Sequence, residues 1–241
     1  MASTNKGNLT THLLALTPAS FKTATQTPFL LAAGQGTLPK EVLQQWLAQD
    51  RLYAQAYMRF ASLLLANIQL PAKVEAGDVN ERLADLVVEA LVNIRREMRF
   101  FEDVGERYGL RIEAERVSKG VEGYRELFEG VGRGVEGEGG LLDGVVLLWG
   151  TEKCYLEAWR YAKGFERADL EKEDMDGGAL RKEFIPNWTS EEFVEFVEKI
   201  GGFVDGLWEK VGVEEREKVR RRLEELWKKV LDVERGFWPE I

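Results

Sequence analysis

Between Trp46 and Leu64 the inward positions recur in alternating steps of four and three: Trp46, Asp50, Tyr53, Tyr57, Phe60 and Leu64. At about 100° per residue they line up as one stripe, the seam of a core-facing helix. The spacing returns at Leu141, Val145, Leu148, Glu152, Tyr155, Trp159 and Ala162, and again at Leu223, Trp227, Val230, Glu234 and Phe237. Along the whole chain the pattern predicts helices over 39–65, 79–106, 114–129, 141–163, 189–212 and 214–237. GQGTLP at 34–39 reads as a turn, with Pro39 suited to the first turn of the helix after it. QLPAKVEAGD at 69–78 breaks the first helix from the second. GVGRGVEGEGG at 130–140 is too glycine-rich for a helix and reads as a mobile loop. Residues 164–187 are polar with a Gly-Gly break, a loop carrying a short helical turn, and TSEEF at 189–193 has the form of a helix start. No strand alternation and no internal repeat stand out. The expected class is all-α, with residues 1–20 as an N-terminal extension and 21–241 as one helical domain.

Each seam contains an acid that an apolar stripe should exclude. Asp50, Glu152 and Glu234 each precede an aromatic residue by three positions. Burying a carboxylate costs roughly several kcal/mol unless something hydrogen-bonds it. One such acid has structural explanations: a tilted helix that lets it reach water, or a buried arginine such as Arg95, Arg96 or Arg99. Three acids flanked by aromatics suggest more. If the seams converge, they line a small polar pocket inside an apolar bundle, a setting suited to a planar ligand. Carboxylates accept hydrogen bonds from amidine-like edges, aromatic rings supply stacking faces, and burial raises carboxyl pKa values toward those useful for proton transfer. This favours a nitrogen-heterocycle site without separating binding from turnover.

Composition narrows the chemistry. The chain has 241 residues and a formal charge of −9, against a duplex nucleic-acid binder with a basic face. The basic run in EEREKVRRRLEELWKK is interleaved with glutamates, as on a solvated helix face. No segment reaches the roughly 18 consecutive apolar residues of a membrane span. The polar start lacks the apolar stretch of a secretory signal. A single cysteine, Cys154, fits a reducing compartment, and a cytoplasmic location is expected. The one histidine, His12, lies near an end expected to be loosely held. Histidine-dependent triads, Glu-x-x-His di-iron sites and Cys/His zinc sites therefore have no basis here. No metal or other cofactor is expected, and the chemistry falls to carboxylates, phenols and a thiol.

The segment TPFLLAAGQGTLPKEVLQQWLAQDRLYAQAY closely resembles the opening of the TenA/THI-4 family, the thiaminase II-like proteins with a heme-oxygenase-like helical fold. The matching elements are Pro28-Phe29, the turn at 34–39, and Asp50, Tyr53 and Tyr57 on the helix that follows. At the other end Glu234 stands four residues before the Trp of Phe237-Trp238, and NWTSEEFVEFVEKI is similar to a family segment through Trp188 and Phe193. The resemblance spans nearly the whole chain. It implies a pocket for the aminopyrimidine half of thiamin or its breakdown products. Asp50 would hold the pyrimidine nitrogens, Glu234 would assist proton transfer, and Tyr53, Tyr57 and Tyr124 would be pocket tyrosines. It also implies a homo-oligomer.

The departures from that pattern bear on mechanism. The family's cysteine nucleophile precedes by four residues a tyrosine that aligns with Tyr155, and that position is Thr151 here. Cys154 lies about 300° around the helix from it and reads as a packing residue. Glu152 makes the chain similar to the cysteine-lacking branch, in which another acid substitutes. Ile185 stands where a tyrosine is expected and Phe101 where many members have histidine. Two readings compete: a salvage hydrolase, with Asp50 orienting the ring and Glu152 and Glu234 sharing acid–base work, and a non-enzymatic binder or regulator on the same scaffold. Haem or PQQ-type oxidation fits least, because the histidines it uses have no counterpart.

Overall fold

The computed structural model describes residues 7–73, 77–134, 138–165 and 173–241, and within them every regular element is helical. In chain order these are α1 (Leu9–Leu16), α2 (Pro18–Thr25), α3 (Pro28–Gln35), α4 (Lys40–Ala66), α5 (Val79–Tyr108), α6 (Lys119–Arg133) and α7 (Glu138–Lys163). A π-helical turn (Leu180–Phe184) then runs into α8 (Ile185–Trp188), followed by α9 (Glu191–Lys210) and α10 (Val213–Phe237). Local chemistry fixes the starts. Asp78 accepts from the backbone N–H groups of Asn80 and Glu81 at 2.8 and 3.0 Å, Ser118 caps α6 and Ser190 caps α9. α4 packs between α5 and α6, and α7 against α3, α9 and α10.

The three predicted seams all turn inward. On α4 every member of the stripe from Trp46 to Leu64 is buried, as is the α10 stripe from Leu223 to Phe237. The helices meet in an aromatic cluster: Trp46 stacks on Trp238 at 5.6 Å, and Trp159 lies 4.3 Å from Trp188. Phe29 explains the Pro28-Phe29 pair, since its ring sits 5.3 Å from Trp46 and 5.8 Å from Trp238. Pro28 opens α3, where its missing N–H costs nothing.

Three expectations need correction. The chain before residue 39 forms α1, α2 and α3, which the spacing did not predict. The end carrying His12 is not loosely held: Leu9 and Leu13 are buried, Thr10 bonds Asp205 through its N–H (3.0 Å) and hydroxyl (2.8 Å), and His12 Nε2 meets Glu224 at 2.7 Å. The glycine-rich segment is partly helical. α6 begins at Lys119 rather than 114 and continues through Gly130 and Gly132 to Arg133, and α7 begins at Glu138. Gly132 serves packing, since a Cβ there would lie 3.0 Å from the Leu63 side chain on α4. Residues 135–137 of the expected loop, and 166–172 of the next one, lie outside the described residues.

Gly34 marks a tight helix crossing. A Cβ at this position would fall 1.9 Å from the backbone carbonyl oxygen of Ala162. That neighbour is main chain and cannot rotate away. Gly34→Ala is therefore expected to push α3 off α7 and lower stability by at least about 3 kcal/mol, at the upper end of overpacking effects. Urea unfolding of the two proteins measures it. A loss below about 1 kcal/mol would mean that the α3–α7 crossing yields easily.

Candidate active site

α4, α5, α7, α8 and α9 enclose a cavity of about 90 Å³. That is room for several waters or one small ring, well below the roughly 300 Å³ and more of drug-sized pockets. Asp50, Tyr53 and Tyr57 enter from α4, Glu152 and Tyr155 from α7, and Glu97 from α5. Asn187 and Trp188 from α8 and Phe193 from α9 complete the wall. The seam period put these groups together: a stripe that faces the core along its length faces the cavity wherever the core opens.

Asp50 is 2 % exposed and accepts a hydrogen bond from Tyr155 Oη to Oδ2 at 2.9 Å. Among the described residues no protein donor reaches its other oxygen. Burial raises its pKa well above the ordinary carboxylate range, opposed by the Tyr155 bond and reinforced by Glu97, Glu234 and Glu152. Glu152 is pushed up to about 7, mainly by burial, with Tyr57 pulling the other way and the Glu97 charge adding to the rise. Tyr57 Oη lies near Glu152 without reaching full hydrogen-bond geometry. Burial likewise holds Tyr53, Tyr57 and Tyr155 well above the usual phenol value, so all three are neutral donors at physiological pH.

Among the described residues no arginine bridges to Asp50 or Glu152, and at Glu97 the Arg96 charge only partly opposes the rise caused by burial. Of the candidates, Arg96 bridges to Glu192 at 2.8 Å, and Arg95 turns to the Met98 sulfur at 3.4 Å. Arg95, Arg96 and Arg99 are all exposed. Among the described residues no three Asp, Glu, His or Cys side chains are placed to hold a metal ion.

Glu234 and Tyr124 do not line the cavity. Glu234 is 1 % exposed and accepts a hydrogen bond from Tyr124 Oη to Oε2. Tyr124 in turn packs edge-on against Tyr53 at 4.8 Å, so the pair stands one layer behind the wall. Burial pushes Glu234 up to about 8, against the Tyr124 bond and a nearby Trp238 indole, which approaches Oε1 without completing a hydrogen bond.

Thr151, where the resemblance implies a cysteine, is buried and donates its hydroxyl to the Leu148 carbonyl of its own helix at 3.1 Å. Cys154 is fully buried and absent from the cavity wall, and burial raises its thiol pKa, as in an inert packing residue. Phe101 lines the cavity, whereas Ile185 is buried and is not among the lining residues. His12 pairs with Glu224 and is not among the cavity residues.

Sequence reading missed Glu97. It accepts hydrogen bonds from the Trp188 indole N–H and, at 3.0 Å, from Asn187 Nδ2, and burial lifts it to about 7. Its neighbours along the chain are Arg95, Arg96 and Arg99, and the stretch looks like a solvated face. Asn187 and Trp188 reach it from 90 and 91 positions away, so no local period carries the signal.

Comparison with known proteins places the chain among relatives. A model of the TENA/THI-4/PQQC family matches residues 21–241. A Fusarium pseudograminearum protein named a probable transcription factor is 28% identical over 232 residues, which take in 83% of this chain and 45% of that protein. The chain thus spans less than half of that relative. A probable bifunctional TENA-E protein of Glycine max is 20% identical over 215 residues, 89% of this chain and 85% of the soybean protein. Among solved structures, a TenA homologue from Pyrococcus furiosus has a TM-score of 0.74 at 23% identity, covering 95% of this chain and 100% of its own. A TenA family transcription regulator from Silicibacter sp. TM1040 has a TM-score of 0.73 at 18% identity, covering 97% and 96%. The fold is the all-α, heme-oxygenase-like bundle of these TenA homologues. Among the described residues no helix is long and apolar enough to cross a membrane.

Proposed function

The chain belongs to the TENA/THI-4/PQQC family, and from that premise we propose that its acid-lined cavity binds an aminopyrimidine and hydrolyses an exocyclic C–N bond on it, as in salvage of thiamin breakdown products. The observation that carries this reading is Asp50: a nearly fully buried carboxylate, steadied by Tyr155, opening into a cavity of about 90 Å³ walled by aromatic rings. Such a group matches the paired N–H edge of a protonated aminopyrimidine. Tyr53, Tyr57 and Trp188 offer ring faces against which a planar heterocycle packs.

In the reaction the C–N bond of the substituent breaks and a C–O bond to water forms. Glu152, with a pKa of about 7, is the wall residue suited to carry a proton in either direction at neutral pH. The departing nitrogen takes up a proton, and the attacking water gives one to a carboxylate. Glu234 acts from behind, holding Tyr124 against Tyr53 and keeping a second titratable carboxyl close to Asp50. No cysteine nucleophile takes part, because the position holds Thr151 and the one cysteine, Cys154, is off the wall. The same reading makes the protein a cytoplasmic homo-oligomer, supported by its lone buried cysteine and by Val88 and Val92 standing exposed on α5.

Mass spectrometry after incubation with thiamin, the aminomethyl-aminopyrimidine and its formylamino derivative tests the proposal. Hydroxymethylpyrimidine is expected from the wild type, with the rate reduced about 100-fold or more in Glu152→Gln, the scale of a lost general acid–base group. Ligand bound and recovered unchanged would favour the second reading, a non-catalytic binder. The occupied Thr151 hydroxyl and relatives named as transcriptional proteins support that alternative.

A further inference from the structure

The cavity carries more carboxyl groups than an aminopyrimidine ring alone requires. Asp50, Glu152 and Glu97 all open into it, and the Glu97 charge raises the pKa of both others, so the three lie within electrostatic reach of one another. Among the described residues no arginine or lysine bridges to Asp50, Glu152 or Glu97, and the Arg96 charge is the only one that works against the rise at Glu97. Arg96, at the rim, is exposed and engaged with Glu192. Mutually repelling carboxyl groups around one cavity, Asp50 buried and Glu97 and Glu152 half-buried, are tolerated when a ligand supplies the missing charge. The cluster does not stand alone: one oxygen of the nearly fully buried Asp50 lacks a protein donor among the described residues, and Asp50 belongs to the cavity wall.

Glu97 differs from the other two in being anchored. Trp188 donates to Oε1 and Asn187 to Oε2, which fixes the carboxyl plane and leaves each oxygen able to accept again. A carboxylate so held is a preorganised acceptor for a charged donor. It comes from α5, whereas Asp50 and its partner Tyr155 come from α4 and α7, so the cavity offers two acidic sites on different helices.

We infer that Glu97 is a specificity-determining residue which receives the ammonium of the ring substituent while Asp50 receives the ring nitrogens, so that the pocket selects amine-bearing pyrimidines over those with a neutral substituent. This rests on the aminopyrimidine reading above. It gives the site a direction. A substituent arriving as R–CH2–NH3+ already carries the proton with which its nitrogen departs as ammonia, and the hydroxymethyl product has no charge for Glu97. Product is thereby bound more weakly than substrate. A formylamino substituent is neutral, gains nothing from Glu97, and depends on Glu152 for the leaving-group proton.

Calorimetric binding of the aminomethyl, formylamino and hydroxymethyl pyrimidines to wild type, Glu97→Gln and Glu97→Asp tests this, with turnover of the first two followed in parallel. Wild type is expected to prefer the aminomethyl compound. Glu97→Gln should weaken that compound alone by about 30-fold or more, the effect of removing one member of a buried charge pair. Glu97→Asp, which keeps the charge, should recover part of the preference. Equal weakening of all three ligands would assign Glu97 to holding Trp188 and Asn187 only and overturn the inference, as would a wild type that does not discriminate. Preference lost in Glu97→Gln without turnover by any protein would uphold the inference while removing the hydrolase. No binding by wild type would overturn both.

Discussion

Asp50→Asn is expected to raise the dissociation constant of an aminopyrimidine by about 100-fold or more while leaving the fold intact, because losing one member of a buried, hydrogen-bonded charge pair costs roughly 2–5 kcal/mol. Asparagine has the same shape, and its carbonyl oxygen can still accept from Tyr155 Oη. What it loses is the charge and one acceptor oxygen, replaced by an NH2 that faces the ligand's own donors. The stability of the empty protein should move the other way. Asp50 is raised well above its ordinary pKa by burial and by three neighbouring acids. An amide removes that penalty, and the melting temperature at pH 8 should rise. Calorimetry and thermal melting of the same preparation report both. A dissociation constant within about threefold of wild type would take Asp50 out of the ligand site, since a factor of three is under 1 kcal/mol. A falling melting temperature would mean that its charge stabilises the bundle.

That a carboxylate sat at Asp50, Glu152 or Glu234 was visible in the spacing, because a helix seam is a local property and an acid within it breaks the pattern by itself. Which of the three reach the cavity was not visible. Glu152 does, whereas Glu234 lies behind Tyr124, a difference set by where α10 crosses α6 and α7. Glu97 was invisible for the opposite reason: its own surroundings are cationic, and its partners arrive through the π-helical turn that leads into α8. The helices before residue 39 are each eight residues long, too short for a period to declare itself. Glycines misled at 130–133. Composition counts them as breakers, but at Gly132 the missing side chain answers Leu63 on another helix, which only the packing reveals.

The second large effect concerns pH. Glu97 and Glu152 rise to about 7 and Glu234 to about 8, each from an ordinary value of 4.5 and each chiefly through burial. Between those values the folded protein binds more protons than the unfolded chain, so stability must fall as pH rises through that interval. Their contribution is fully present below about 4.5 and is lost as pH climbs through 7 and then 8. Glu129 and Glu157 act in the other direction. Hydrogen bonds from Arg59 and Arg133 hold Glu129 below its usual value, and Lys153 and Arg160 outweigh burial at Glu157, so their contribution disappears in acid. The melting temperature should therefore peak near pH 5, roughly where the two trends cross, and decline toward pH 8.5. Glu234→Gln should flatten the alkaline limb and stabilise the protein at pH 8.5 by about 1–2 kcal/mol, since a buried amide needs no proton. Activity should fall in the same variant, as happens when a strained site is relaxed. A cationic aminopyrimidine should protect more at pH 8 than at pH 5.5, because it supplies the charge that the ionised carboxylates lack. Melting curves flat from pH 5 to 8.5, and unaltered by Glu234→Gln, would mean that these acids are ionised and compensated in the empty protein, leaving the cavity without the unmet charge on which selection of a cation depends.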